Sequence, residues 1–247
     1  MDDDGTALVG PPPRRVVSLV PSLTEAIAGT DAGLLVGATD WCTHPAGLDV
    51  HRVGGTKWPD LDRVQALRPD LVVANAEENR PEDVAALRAA GVRVWMTAPA
   101  TVEQALDTLG RLGAGLGRPN PSWLVEARGV WADPPRVPPA TAVVPIWRRP
   151  WMVLGRDTFA GDVLARLGVR NVFGGDADRY PKLAPDRLPQ VSADLVVFPD
   201  EPYAFTVDDG PEAWPQARPV FVSGRHLTWY GPSLVEAPEL LVRQLDS

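Results

Sequence analysis

The residues best suited to chemistry in this sequence are aromatic. Trp41, Trp58, Trp147, Trp151, Tyr203, Trp229 and Tyr230 fall in segments that read as loops at strand ends. Trp and Tyr offer rigid, flat area with a hydrogen-bonding edge, and such loops carry ligands in open α/β sheets. The nine Trp outnumber the three Tyr and five Phe together. That excess points to a binding cleft with broad, flat walls, although some of these rings must fill the core. Arg148, Arg149 and Arg225 sit beside the aromatic loops, where guanidinium groups could receive carboxylates or a phosphate. As lone surface arginines they would need no such explanation.

Other chemistries find little support. His44, His51 and His226 are the only histidines and Cys42 the only cysteine. No H-x-x-x-H spacing or Cys cluster is present, so a metal site built from protein ligands alone is not expected. His226 shares a loop with Trp229 and Tyr230 and is expected near a ligand. The pairs Gly54-Gly55 and Gly174-Gly175 do not form G-x-G-x-x-G. There is no P-loop and no G-x-S-x-G, and no carboxylate pair stands out from helix-surface charge. The sequence therefore predicts a binding protein with no catalytic residue and no required cofactor.

The elements that must position these residues alternate. Apolar runs at 15–20, 34–38, 71–74 and 92–96 read as strands. The segments 21 onward, 61–67 and 81–90 read as helices. Ser22 with Glu25, and Ser233 with Glu236 ahead of a closing helix at 233–245, have the spacing of capping boxes. Strand–helix alternation implies a largely parallel sheet with covered faces. After residue 140 the pattern returns, with strands at 141–146, 152–154, 195–198 and 220–222 and a helix at 157–167. The segment 147–151 reads as a tight bend.

An internal echo organises the chain. Residues 62–73 read Asp-Arg-Val-Gln-Ala-Leu-Arg-Pro-Asp-Leu-Val-Val, and 186–197 read Asp-Arg-Leu-Pro-Gln-Val-Ser-Ala-Asp-Leu-Val-Val. Each is a short helix leading through an Asp into a buried strand, and each follows a Gly-Gly pair. Such repetition favours duplicated α/β lobes over chance likeness. We expect a flexible leader at 1–13, an N-terminal α/β lobe at 14–100, a helical connector at 101–139 crossed once by the chain, and a C-terminal α/β lobe at 140–247. In the connector, Val102, Ala105, Leu106, Leu109 and Leu112 mark one buried helix face. A second helical piece runs from Ser122 to Trp131, before Pro134, Pro135, Pro138 and Pro139.

The formal net charge of −8 over 247 residues argues against nucleic acid and anionic membranes as partners. No apolar run approaches a membrane span. The opening Met1-Asp2-Asp3-Asp4-Gly5 lacks the basic and apolar regions of a signal peptide. As the sequence stands, that predicts a cytoplasmic location, or an extracytoplasmic one if a leader has been trimmed.

The segment Arg15-Val16-Val17-Ser18-Leu19-Val20-Pro21-Ser22-Leu23-Thr24-Glu25, the Gly54-Gly55 loop and Leu67-Arg68-Pro69-Asp70-Leu71-Val72-Val73-Ala74 together resemble a known family. It is the helical-backbone metal-receptor group of ABC-importer substrate-binding proteins, closest in look to its periplasmic cobalamin-binding members. The likeness covers most of 14–245 and is strongest in the first half. It implies two Rossmann-like lobes with mainly parallel sheets, joined by a helical connector, with the ligand held in a cleft between them. The ligand so implied is a corrinoid, cobalamin or cobinamide; haem or a ferric siderophore is the alternative within the class. Trp41, Trp58, Trp147, Arg148, Trp151, Tyr203, His226, Trp229 and Tyr230 are then the expected ligand contacts. The resemblance also implies docking onto an ABC permease through one acid per lobe, here Asp62 and Asp186, where the family usually has Glu. A helix-dipole role explains both acids equally well. The segment after Gly117 is shorter and richer in Pro than the family's long charged helix. From a different class, a cytoplasmic enzyme or regulatory domain reusing the fold is the rival reading.

Overall fold

The computed structural model describes residues 1–247. The chain forms two compact units. The first comprises Met1–Pro99, Gln104–Arg128 and Tyr230–Pro232; the second comprises Ala100–Glu103, Gly129–Trp229 and Ser233–Ser247. Both connector helices thus count largely with the first unit, and the chain returns to that unit near its end. The expected single crossing is replaced by repeated exchange between the two.

In the first unit, β1 (Val16–Ser18), α1 (Pro21–Asp31), β2 (Leu35–Ala38), β3 (His51–Arg52), α2 (Leu61–Ala66), β4 (Leu71–Asn75), α3 (Pro81–Ala89) and β5 (Val94–Thr97) alternate as the apolar pattern predicts. All strands are parallel, in the order β3-β2-β1-β4-β5. Every residue of β4 is buried, as expected for an inner parallel strand covered on both faces. Val17, Leu19, Val64, Val72, Ala74, Leu87 and Met96 share one core cluster. The helix α4 (Val102–Gly115) buries the predicted face at Val102, Ala105, Leu106, Leu109 and Leu112. It ends where Arg118 N donates to Gly113 O and Gly117 takes φ +71°, a left-handed stop that favours glycine. The helix α5 (Ser122–Ala132) follows.

In the second unit, β6 (Ala140–Val143) precedes a hairpin, β7 (Pro145–Arg148) and β8 (Trp151–Val153), at the site of the expected bend. Next come α6 (Phe159–Arg166), β9 (Val169–Asn171), β10 (Lys182–Leu183), β11 (Leu195–Pro199), β12 (Arg218–Val222), α7 (Gly224–Thr228) and α8 (Ala237–Asp246). A parallel sheet runs β12-β11-β6-β9, and a separate antiparallel sheet runs β10-β8-β7. Trp151, Phe198, Phe205 and Trp214 form its aromatic core, with Trp151 stacked on Phe205 and edge-on to Trp214.

The echo is physical. Its two copies lead into the equivalent inner strands β4 and β11. The Asp before each strand ties down the neighbouring strand's start. Asp70 Oδ2 accepts from Arg14 N and Arg15 N at 2.8 and 3.0 Å. Asp194 Oδ2 accepts from Thr141 N and Thr141 Oγ1, both at 2.7 Å. The copies differ in one respect: 61–66 is α-helical, whereas 185–190 is a 3₁₀ turn with Pro189 inside it, since proline cannot donate to an α-helical ladder.

Three local expectations are corrected. Residues 1–13 are tied down rather than loose. Asp2 is buried and its Oδ2 accepts from Met96 N at 3.0 Å; Asp3 accepts from Ala98 N at 2.7 Å and Thr108 Oγ1 at 2.9 Å, and pairs with Arg111. The acidic run therefore satisfies backbone donors at the end of β5. Neither capping box forms. Pro21 occupies the first turn of α1, so Val20 is the cap and Ser22 and Glu25 lie inside the helix, buried. A 3₁₀ turn at Pro232–Leu234 pushes the start of α8 to Ala237, which frees Glu236 for another partner.

Hydrogen bonds from the Thr141 hydroxyl and amide hold the Asp194 carboxyl below its ordinary pKa. Its contribution is therefore present at neutral pH and is lost as pH falls through the depressed value. Asp194→Asn is expected to be less stable than the parent at pH 7, with a shallower decline on acidification, measured by urea unfolding across pH.

Candidate functional site

In the first unit two tryptophans stand in solvent on loops that follow strands. Trp41 is 68% exposed and Trp58 70% exposed, a large apolar area to leave wet. The Trp41 loop follows β2. Arg52 fixes it by donating to Thr39 O and Cys42 O, each at 2.9 Å, and Asp40 N donates to Gly54 O at 2.8 Å. Cys42 anchors the loop from below: it is buried and bonded to Thr24 Oγ1 at 3.0 Å, and burial pushes its thiol pKa up. It is an inert packing group rather than a nucleophile.

Trp58 lies in the Gly54–Asp60 loop, closed by a bridge between Gly54 and Pro59. Gly54 takes φ +87°, and a Cβ there would crowd Trp58 O and Asp60 N at 3.2 and 3.3 Å, so the turn requires glycine. Asn79 Nδ2 donates to Thr56 O at 3.0 Å, and Lys57 Nζ to Glu77 O at 2.5 Å. The Arg80 guanidinium sits 3.8 Å from the Trp58 ring centre.

Tyr230 is not a surface contact of this cluster. It is buried, and its hydroxyl accepts from Asn75 Nδ2 at 2.6 Å and bonds Thr97 Oγ1 at 2.9 Å, at the carboxyl ends of β4 and β5. Burial raises its pKa well above the ordinary phenol value. The expectation of a ligand contact there gives way to a supporting role.

In the second unit, Trp147 is 42% exposed on β7. It stands edge-on to Tyr203, ring centres 5.6 Å apart, and the Tyr203 hydroxyl donates to Asp209 Oδ2 at 2.7 Å. Arg148 pairs with Asp209 and Glu212; its charge is spent within the unit. Trp151 is a core ring, contrary to the reading of it as a cleft wall. Only its edge reaches an open recess lined also by Arg149, Pro150 and Leu183.

His226 is likewise buried rather than free in a loop. Its Nδ1 lies 2.7 Å from Ser223 Oγ and its Nε2 2.9 Å from Glu236 Oε1; the pairing lowers the Glu236 pKa. A Ser–His–Glu array suggests nucleophilic chemistry. Here, though, Ser223 N donates to Gln244 Oε1 and Gly224 N to Asp200 Oδ1, at 3.1 and 2.6 Å. The backbone donors beside Ser223 are thus committed, and an oxyanion would find neither. The array joins α7 to the start of α8. Trp229 is half-buried, its side chain bonded to Glu201, whose pKa is raised by burial.

Asp62 lies in the first turn of α2 and Asp186 in the first turn of the 3₁₀ segment; both are exposed. No group of three or more His, Cys, Asp or Glu is placed to hold a metal ion, and no helix is long and apolar enough to cross a membrane. The supporting residues Asn75, Asn79, Arg80 and Glu201 escaped the sequence reading, and Glu236 entered it only as half of a capping box. Only the Arg80–Asp83 spacing at a helix start was a signal for any of them.

No protein-family profile matches the sequence. A vitamin B12-binding protein of Photorhabdus laumondii is 26% identical over 253 residues, covering 95% of this chain and 88% of that protein. Among solved structures, the periplasmic vitamin B12-binding protein of Vibrio cholerae superposes with TM-score 0.77 at 20% identity, covering 95% of this chain and 97% of that one. A periplasmic heme-binding protein of Roseiflexus sp. RS-1 does so equally well, TM-score 0.77 at 20% identity over 94% and 98%. The two structural likenesses establish the fold.

Packing around Trp229 is tight. A Cβ on Gly224 would overlap the Glu201 side chain and crowd Asp200 Oδ1. Gly224→Ala is expected to cost about 1–3 kcal/mol of stability, the scale of overpacking, and to shift the Trp229 emission. Urea unfolding, and difference fluorescence of parent and Gly224→Ala each against its Trp229→Phe counterpart, check it.

Proposed function

We propose that this chain is a member of the helical-backbone metal-receptor group of substrate-binding proteins and a non-enzymatic binder of a corrinoid, cobalamin or cobinamide, a reading supported by its likeness to a vitamin B12-binding protein. The observation that carries the reading is the sorting of its tryptophans. Trp95, Trp131, Trp151 and Trp214 are buried, whereas Trp41, Trp58 and Trp147 stay exposed on two loops and a hairpin. A corrin presents a broad apolar face with polar side groups, and such rings match it at low entropic cost.

Haem is the second reading, favoured by the likeness to a heme-binding structure. Proteins hold haem iron through His, Cys, Met or Tyr. Of the loop His and Tyr residues expected near the ligand, His226 and Tyr230 are buried and engaged within the fold, and the half-buried Tyr203 hydroxyl donates to Asp209. That supports a ligand whose metal needs no protein donor. Visible-absorption titrations with cobalamin, cobinamide and haem separate the readings. We expect corrinoid binding, with Trp58→Ala and Trp147→Ala each weakening it by about 1–3 kcal/mol, the scale of burying one large side chain. Parent-like affinity in both variants would overturn the assignment.

The partner we propose is an ABC permease, met through Asp62 and Asp186. Both carboxylates are exposed, and surface charges of this kind steer association more than they hold it. Reversal of both, Asp62→Arg with Asp186→Arg, is expected to reduce uptake in a reconstituted system, most at low salt, while leaving ligand affinity unchanged. Unaltered uptake would leave only helix-end electrostatics to explain the two acids.

A further inference from the structure

We propose that Arg80 is the positioning residue of the ligand surface: its guanidinium covers one face of the Trp58 indole, so that a flat ligand is received on the other. The inference rests on the corrinoid reading above and goes beyond it by assigning a face.

An exposed tryptophan on a loop ordinarily samples several rotamers, and ordering it on binding costs entropy. Trp58 is 70% exposed, yet the Arg80 Cζ lies 3.8 Å from its ring centre, stacking distance for a cation on an aromatic face. The guanidinium is itself fixed from behind. Its Nε and Nη2 donate to the two carboxylate oxygens of Asp83 at 2.8 and 2.6 Å, a bidentate fork that a lysine could not make. A further pair to Glu82 spans 3.3 Å. The Asp83 side chain is only 6% exposed, and both acids lie in the first turn of α3, set by Pro81. Rigidity therefore passes from the helix start to Asp83, to Arg80, to the indole.

The backbone of the Trp58 loop is held by the same short segment. Asn79 bonds Thr56 O, and Lys57 bonds Glu77 O. Asn75 Oδ1 accepts from Glu77 N and Glu78 N at 2.8 and 3.1 Å. Ring and loop thus share one support. Each Arg80 nitrogen faces Asp83 or Glu82, and these two acids offset its charge, so the residue acts through Trp58 rather than as an anion receptor for the ligand.

The test is a double-mutant cycle on the full chain with cyanocobalamin as probe, using Arg80→Ala, Arg80→Gln, Arg80→Lys, Trp58→Ala and Arg80→Ala/Trp58→Ala. Affinity is read by titration, and the mobility of residue 58 by difference fluorescence anisotropy against Trp58→Phe in the ligand-free protein. We expect Arg80→Ala and Arg80→Gln to weaken binding about tenfold, within the range of a lost cation–π contact, and to lower the anisotropy. Arg80→Lys should recover part of both. Removing Arg80 when Trp58 is already Ala should cost nothing further, the signature of coupled residues. A loss in Trp58→Ala with none in Arg80→Ala or Arg80→Gln would overturn this proposal alone, as would additive losses in the double variant. Unchanged affinity in Trp58→Ala would overturn this proposal, and joined by parent-like affinity in Trp147→Ala it would overturn the ligand reading as well.

Discussion

A parallel strand that ends in the middle of a sheet leaves polar backbone at its carboxyl end, and something must satisfy it without closing the surface. In the first unit that task falls to Asn75, the last residue of β4. Its backbone N donates to Asn79 Oδ1 at 2.9 Å, its Oδ1 takes Glu77 N and Glu78 N, and its Nδ2 reaches the Tyr230 hydroxyl. One buried amide thereby defines the turn into α3, from which Asn79 and Arg80 hold the Trp58 loop. Unpaired buried polar groups are costly, so this network has few alternative arrangements. The exposed indole inherits that rigidity.

The second unit meets the same constraint with charge. After β11 comes Asp200, whose Oδ1 takes Gly224 N, and then Glu201, which bonds Trp229 from a largely desolvated position. Only glycine fits at 224, where any side chain would meet Glu201. His226 and Glu236 then tie α7 to the start of α8. The two halves keep the Asp–strand register of the echo while their strand-end chemistry has diverged, amide-based in one and carboxylate-based in the other.

That divergence explains which site expectations changed. A His or Tyr in an aromatic loop reads as a ligand contact when its neighbours in space are unknown. His226 and Tyr230 are instead consumed by groups far away in sequence or in a shifted helix start. Glu236 is free to meet His226 because Pro232 and Pro238 displace α8 from the predicted beginning. Tyr230 meets Asn75 across 155 positions of chain. Neither pairing has a local signature.

The sequence by itself determined the strand–helix alternation, the parallel inner strands, the duplicated halves and the buried face of α4. All are written in short-range apolar periodicity, and the buried inner strand could be read from four consecutive apolar residues, Leu71 to Ala74, to which the structure adds Asn75. It also placed Trp41, Trp58 and Trp147 in loops at strand ends, but together with Trp151, Tyr203, Trp229 and Tyr230, and offered nothing to sort the exposed rings from the buried ones. Only the tertiary structure decided that Trp151 belongs to the core, that Arg148 is neutralised by Asp209 and Glu212, that residues 1–13 are pinned by Asp2 and Asp3, and that Arg80 backs Trp58. Those outcomes depend on which side chains distant in sequence become neighbours, and hydrogen bonds and ion pairs are decided by that proximity rather than by residue type.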